Sequence, residues 1–417
     1  MKLRVPEFHV RFVRDKGNLI YPGNVHPVGA QRSAELLVER GLATPAGYAK
    51  PGGLYLVVGG SGGFGCAARA ALATDFGADS ISLSYHLAPT IGHADPNKAI
   101  GSAAWHRDTA LERKLRAIGR TTASLNIDAF DPKAIDAVRD VMATTFAGRK
   151  LDGIVWSLAA PRGLDPRSGA VVSSALKACG ASAVLKTFTE RKDGEPSIVE
   201  DALIPAGTPE EAVGTQYVMG GRPIELWVNR LMRLELLAQG ATLLTVSYRG
   251  TRFNAPVYRD GLLGLAKADL EFYTRAFDAM LSRRVGGRAF AVQAPAVITE
   301  ASAAIPGSPF YIGVLVDTLG ASFEDPLDCM RRLFRDHFAP GKSPTVDSDH
   351  LIRIDDREQS PALLSEIDAR FNALRVGDPM DPRIYDRFLS AYGETRGFGV
   401  AGVDYEATID TDELAQV

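Results

Sequence analysis

LYLVVGGSGGFGCAARAAL, residues 54–72, decides the fold. Leu54 to Val58 form a short apolar run with the composition of a buried strand, the next residues are dominated by glycine, and an alanine-rich helical stretch follows. Glycine lacks a Cβ, so a strand can turn sharply into a helix there and its backbone can approach a bulky anion. Free N–H groups at the start of the following helix stabilise that anion. Strand, glycine turn and helix in this order are the context of the Rossmann dinucleotide fingerprint. Two registers remain open: Gly60, Gly62 and Gly65 satisfy GxGxxG, and Gly59, Gly63 and Gly65 satisfy GxxxGxG. Either one assigns Gly59, Gly60, Ser61, Gly62, Gly63, Phe64 and Gly65 to a pyrophosphate.

Outward from this stretch the same rhythm repeats. SISLS from Ser80, TTASL from Thr121, GIVWSLA from Gly153, TLLTVS from Thr242 and AFAVQ from Ala289 read as buried strands. Helix-length segments lie among them at Gly65–Phe76, His106–Ile118, Pro132–Phe146 and Pro223–Ala238. Such alternation predicts an α/β protein with an extended Rossmann fold, a doubly wound parallel sheet with helical C-terminal additions. Residues 51–300 are the expected core, preceded by an N-terminal segment 1–50. Residues 161–209, rich in Gly, Pro, Ser and charge, are too long for an ordinary connection and predict an insertion near the site. Residues 301–417 are expected to be mostly helical and packed on the core, making 1–417 one continuous unit.

Composition excludes several classes. With 46% apolar residues and a formal charge of −3, the chain is expected to be globular and to attract neither nucleic acid nor an anionic membrane. MKLRVPEFHVRFVR at the amino terminus has no continuous apolar stretch of the signal-peptide kind, and no run approaches a membrane span, so a cytoplasmic location is expected. Cys66, Cys179 and Cys329 are widely spaced, and the seven histidines show no ligand spacing; the expectation is no metal.

Open α/β sheets bind ligands beyond the carboxyl ends of their strands, which selects further candidates. After the second strand stand Tyr85 and His86, where NAD-specific sites often carry a carboxylate; without it a ribose 2′-phosphate is not repelled, and a histidine is able to donate to it. Asp128 and Ala129 follow the third strand, and Leu158 and Ala159 end the fourth. No tyrosine has a lysine four positions later. Tyr258 and Lys267 are nine apart, which on one helix places them on opposite faces, so their convergence requires Tyr258 in a loop and Lys267 in the helical pattern from Leu262 to Arg284. A nearby ammonium is expected to lower the phenol's pKa. Tyr248, ending TLLTVSY, offers a second phenol for a substrate carbonyl at the same sheet edge.

HPVGA at His26, the GGSGGFG loop, DAF at Asp128, VWSLAAPR at Val155, SALK at Ser174, VMGG at Val218, YRDG at Tyr258 and ASAAIP at Ala301 together span most of the chain. In order and spacing, with Tyr-x8-Lys, they resemble the FabV-type trans-2-enoyl-CoA or enoyl-acyl-carrier-protein reductases. The resemblance implies a catalytic Tyr258, a cofactor-contacting Lys267 and a substrate-contacting Tyr248. It also implies cofactor contacts from residues 59–64, Tyr85, His86, Asp128, Ala129, Leu158, Ala159, Val297, Ile298 and Thr299, and a monomer. The expected activity is NADH- or NADPH-dependent reduction of an enoyl thioester in fatty acid metabolism. Departures from the family's usual residues are Phe64 for tyrosine, His86 for glutamate, AWHR at Ala104 for a GWYN-like segment, RGTR at Arg249 for an IGPE-like run, and Leu265 for lysine. They leave open a different activated alkene or carbonyl substrate, or a catalytically silent nucleotide-binding protein.

Overall fold

Seven parallel strands form the central sheet of the computed structural model, which describes residues 2–13, 19–191 and 195–414. Positions 1 and 14 of the amino-terminal stretch and positions 192–194 of the insertion lie outside the described residues. The strands are β1 (Leu54–Val58), β2 (Asp79–Ser84), β3 (Thr122–Asn126), β4 (Leu151–Trp156), β5 (Leu237–Ser247), β6 (Arg288–Gln293) and β7 (Leu351–Arg353). Their order is β7-β6-β5-β4-β1-β2-β3, with every neighbouring pair parallel. The order reverses between β1 and β4, and that switch point is where a doubly wound sheet opens a crevice.

Helices cover both faces, which explains why the central strands are apolar throughout. From β1, Leu54, Leu56 and Val58 enter one core and Val57 the other. The first core is closed by α4 (Lys133–Thr145), α5 (Arg222–Arg233) and α6 (Leu262–Val285). The second is closed by α1 (Pro27–Ala43), α2 (Gly63–Ala71), α3 (Ala103–Ala117) and α7 (Pro326–His337). A π-helical turn, Leu72–Phe76, extends α2 and is stopped by Gly77 at φ 66°. Within that turn the buried Asp75 accepts from Arg331 and Arg335 at 3.0 and 2.8 Å, tying α2 to α7 across more than 250 positions of sequence.

Several boundaries depart from expectation. Helix α2 starts at Gly63, two residues early, and α3 starts at Ala103, where the Ser102 hydroxyl accepts from the Trp105 N–H. The helix expected over 223–238 ends at Arg233, because Glu235 takes the left-handed conformation at φ 55° and the chain then enters β5. The predicted insertion folds into two antiparallel hairpins, Arg162–Leu164 with Val171–Ser173 and Ala183–Phe188 with Val199–Ile204. Residues 301–417 are not helical only: β7 extends the central sheet, and Ile409–Asp410 pairs with Lys2–Leu3. HPVGA is an α1 cap, since His26 Nδ1 accepts from the Gly29 N–H at 3.0 Å and Gly29 packs against the Gly397 backbone. Among the described residues, no helix is long and apolar enough to cross a membrane.

Candidate active site

The glycine loop is built by backbone crowding. Gly59 and Gly63 are left-handed, at φ 85° and 48°, and a Cβ on Gly65 would fall 2.1 Å from the Gly59 carbonyl oxygen. The GxxxGxG register therefore fits the loop: two turning residues and one helix contact. A Cβ on Gly59 would also strike Ser157, at 2.9 Å, just before Leu158 and Ala159. Gly62 precedes α2 without a capping side chain, leaving the first N–H groups without a side-chain acceptor. A cradle that a Cβ would fill, ending at an uncapped helix terminus, fits a dinucleotide pyrophosphate. Val297, Ile298 and Thr299 follow β6, and the Thr299 side chain reaches within 3.2 Å of where a Gly63 Cβ would lie.

Arg107, within the divergent AWHR segment, braces this loop. Its Nε donates to the Ser61 carbonyl at 3.1 Å, and its other nitrogens bond the Thr395 carbonyl and Glu300. Burial opposes charge on Glu300, yet Arg107 and Arg396 hold its carboxyl below the usual range.

Beyond β2 Tyr85 is 76% exposed, whereas His86 turns inward. His86 Nε2 lies 3.3 Å from Asp108 Oδ2, and Asp108 is ion-paired with the fully buried Arg69. Burial opposes charge on Asp108, but Arg69 and His86 bring its pKa down to about 2. A carboxylate in α3 thus holds the ring by Nε2, while His86 Nδ1 is buried with no hydrogen-bond partner among the described residues. Asp128 accepts from the Phe130 N–H at 2.9 Å in a tight turn, and the Ala129 carbonyl accepts from Trp227 Nε1 at 2.9 Å.

Across the crevice, the chain leaves β5 at Tyr248 and runs through consecutive turns to Tyr258 before α6 begins at Leu262. Tyr258 accordingly lies in a loop and Lys267 in a helix. Gly250, at φ 74°, packs against Asn254 and Tyr258, where a Cβ would approach to 2.5 and 2.9 Å. The two phenol rings meet edge to face, with centroids 4.6 Å apart. The Tyr248 hydroxyl accepts from Asn254 Nδ2 at 3.0 Å and donates to Glu358 Oε1 at 2.8 Å. Tyr311 donates to the same oxygen at 2.7 Å, and the Ala296 N–H donates to Glu358 Oε2 at 2.7 Å.

Charge at this end differs from expectation. Burial pushes the Tyr258 phenol well above its ordinary value; the nearby Ser308 hydroxyl offsets part of this and Glu358 adds to it. The predicted lowering by Lys267 does not occur. Lys267 Nζ instead donates to the Val246 carbonyl at 3.4 Å, and burial brings its pKa down to about 8 against an opposing pull from Glu271. Arg249 of the RGTR run points away into ion pairs with Glu271 and Asp349, at 2.7 and 2.6 Å. Glu358, Tyr311, Asn254, Ser308 and Arg107 were not singled out from sequence. The Asn254 signal was present, a short polar residue four before Tyr258 in a glycine-bounded loop, but the Glu358 signal was not.

A sheet that reverses its order beside a glycine cradle, with two phenols and a lysine beyond the end of β5, defines the class of Rossmann-fold dinucleotide-dependent oxidoreductases. Residues 99–338 match the model of the trans-2-enoyl-CoA reductase catalytic region, and residues 15–90 that of the NAD(P)H binding domain of trans-2-enoyl-CoA reductase. An enoyl-[acyl-carrier-protein] reductase [NADH] of Opitutus terrae is 32% identical over 394 residues, covering 92% of this chain and 95% of its own. The trans-2-enoyl-CoA reductase of Treponema denticola, solved with NAD, superposes with a TM-score of 0.85 at 27% identity over 98% of both chains. That of Clostridium acetobutulicum, solved with NADH, gives 0.85 at 26% identity over 99% of both. The chain belongs to the trans-2-enoyl-CoA reductase family.

Proposed function

We propose that this protein reduces the carbon–carbon double bond of a trans-2-enoyl thioester, carried by coenzyme A or acyl carrier protein, with NADH or NADPH. The carrying observation is the edge-to-face pair of phenols, the half-buried Tyr248 and the buried Tyr258, where β5 leaves the sheet. Family membership and the named relatives support the substrate class.

Gly59 to Gly65 and the start of α2 would hold the pyrophosphate. Tyr85, His86, Asp128, Ala129, Leu158, Ala159 and Val297 to Thr299 would line the rest of the dinucleotide, and Lys267 would donate to a ribose hydroxyl. When bound, the dinucleotide would supply the hydride for the substrate's β-carbon. Negative charge then grows on the thioester oxygen, and Tyr258 and Tyr248 are the donors for it. The raised pKa of Tyr258 fits this role, because a phenol above its ordinary value stays protonated and donates at neutral pH. Protonation at the α-carbon completes the reduction. The chain is proposed to work as a soluble monomer in the cytoplasm, which sedimentation and fractionation would test.

A donor aimed at a developing oxyanion contributes about 3–4 kcal/mol, so Tyr258→Phe is expected to slow single-turnover reduction of crotonyl-CoA by roughly 100- to 1000-fold. Cofactor affinity is expected to be unchanged. A near wild-type rate would remove Tyr258 from the chemistry.

A further inference from the structure

We propose that Glu358 is a positioning residue: it sets the direction of the Tyr248 hydroxyl proton, and so decides whether Tyr248 can donate to the substrate oxygen. The inference rests on the reading of Tyr248 as a donor given above.

Hydrogen counting carries it. A phenol has one proton and two lone pairs. The Asn254 amide orientation is fixed, because its Oδ1 accepts from the Thr251 N–H at 2.8 Å; its Nδ2 must therefore donate to Tyr248. The Tyr248 proton then goes to Glu358 Oε1. Nothing is left for a substrate carbonyl, which can only accept. Glu358 Oε2 receives a backbone N–H, from Ala296, whereas Oε1 faces the Tyr248 oxygen, which can accept once its own proton turns away; Oε1 is therefore the oxygen on which a proton finds an acceptor. With Oε1 protonated, its O–H donates to the free lone pair of Tyr248 while Tyr311 goes on donating to Oε1. The Tyr248 proton is then released towards the crevice. With Glu358 ionised, the carboxylate takes that proton back.

The surroundings make both states accessible. Glu358 is 1% exposed and forms no ion pair among the described residues. The titratable groups facing it are Tyr248, Tyr258, Tyr311 and Asp355, and Asp355 is itself held by Arg353 at 2.6 Å. On its other side a small cavity separates it from the Arg357–Glu324 pair, at 3.1 Å. Burial raises the carboxyl, the hydrogen bonds from Tyr311, Ala296 and Tyr248 offset part of the rise, and the result is a pKa of about 7. Protonated Glu358 is the productive form, so activity falls as pH rises through that value.

The test is the pH profile of single-turnover crotonyl-CoA reduction at saturating NADH, from about pH 6 to pH 9, for wild type, Glu358→Gln and Tyr248→Phe. Wild type is expected to fall near neutral pH towards the Tyr248→Phe rate, itself on the order of 100-fold below the acid-side wild-type rate. In Glu358→Gln the amide oxygen must accept from Ala296, so its NH2 faces the phenols and donates to Tyr248 as the protonated acid does, while Tyr311 loses its acceptor. That variant is expected to hold the acid-side rate through neutral pH. A later fall from Lys267, near 8, is common to all three proteins and does not enter the difference. A wild-type profile without the neutral-pH fall, a Glu358→Gln profile that keeps it, or a Glu358→Gln rate equal to Tyr248→Phe at every pH would each overturn the proposal. If Tyr248→Phe matches wild type at pH 6, the donor reading of Tyr248 fails first. The wild-type profile alone decides the matter should Glu358→Gln not fold.

Discussion

The two sides of the crevice are made differently. On the dinucleotide side seven consecutive residues, Gly59 to Gly65, form the cradle, and its shape comes from backbone touching backbone. On the phenol side the working groups come from positions 248, 254, 258, 311 and 358: side-chain hydrogen bonds around one buried carboxyl hold four of them, and Tyr258 packs edge to face on Tyr248. A site made of backbone tolerates no added atom, whereas a site made of side chains depends on which groups carry protons.

The sharpest way to break this contrast is to add one methyl group on the first side. Gly65→Ala puts a carbon 2.1 Å from the Gly59 oxygen, with no flexible side chain to yield. Overpacking of this kind costs about 1–3 kcal/mol, and the displaced loop is expected to lower NADH affinity by on the order of 100-fold. Fluorescence titration and urea unfolding measure both. An affinity within twofold of wild type would show that the cradle does not hold the cofactor.

Lys267→Met probes the boundary between the two sides. Loss of the ribose donor is expected to weaken NADH binding roughly 10-fold. Stability should move the other way. The Lys267 pKa is lowered from 10.5 to about 8 on folding, so between these values the unfolded chain binds more protons and wild-type stability rises with pH. Below about 8 the full penalty of the desolvated ammonium is present. The variant lacks that penalty and is expected to be more stable at pH 7, by on the order of 1–2 kcal/mol, with the advantage fading above pH 8. Urea midpoints at pH 7 and pH 10 would reveal it; an advantage that grows with pH contradicts the assignment.

The smallest effect is expected at Asn254, which orients a phenol without supplying the chemistry. Asn254→Ala removes the bonds to Thr251 and Tyr248. A loss of about 1 kcal/mol, or roughly fivefold in kcat with KM for NADH unchanged, is the expected outcome. A change confined to the KM for NADH would move Asn254 to the other side of the comparison.

The same contrast explains what could be read from sequence. Residues 54–72 carry strand, turn and helix in one uninterrupted local pattern, so the cradle was legible, and the structure resolved only its register. Tyr258 and Lys267 were legible as a loop residue and a helix residue because Asp260-Gly261 separates them. Glu358 was not legible. It stands in IDDREQS, residues 354–360, where Asp356 and Arg357 are exposed and nothing local marks one charge as buried. The groups packed on it, Tyr311, Ala296 and Tyr248, stand 47 to 110 positions away in sequence. The first half of β5 was hidden by Gln239-Gly240, which interrupts its apolar run. His86 showed that a carboxylate was missing, but its inward turn depends on Asp108, 22 positions away on α3.

The most direct test of the proposed reaction follows the hydride itself. NADH carrying deuterium at the transferable position is incubated with crotonyl-CoA and the purified protein, and the product is examined by mass spectrometry and NMR. Butyryl-CoA with one deuterium at the β-carbon is expected. Deuterium on a carbonyl-derived carbon, or no transfer to any enoyl thioester while NADH binds, would contradict the assignment.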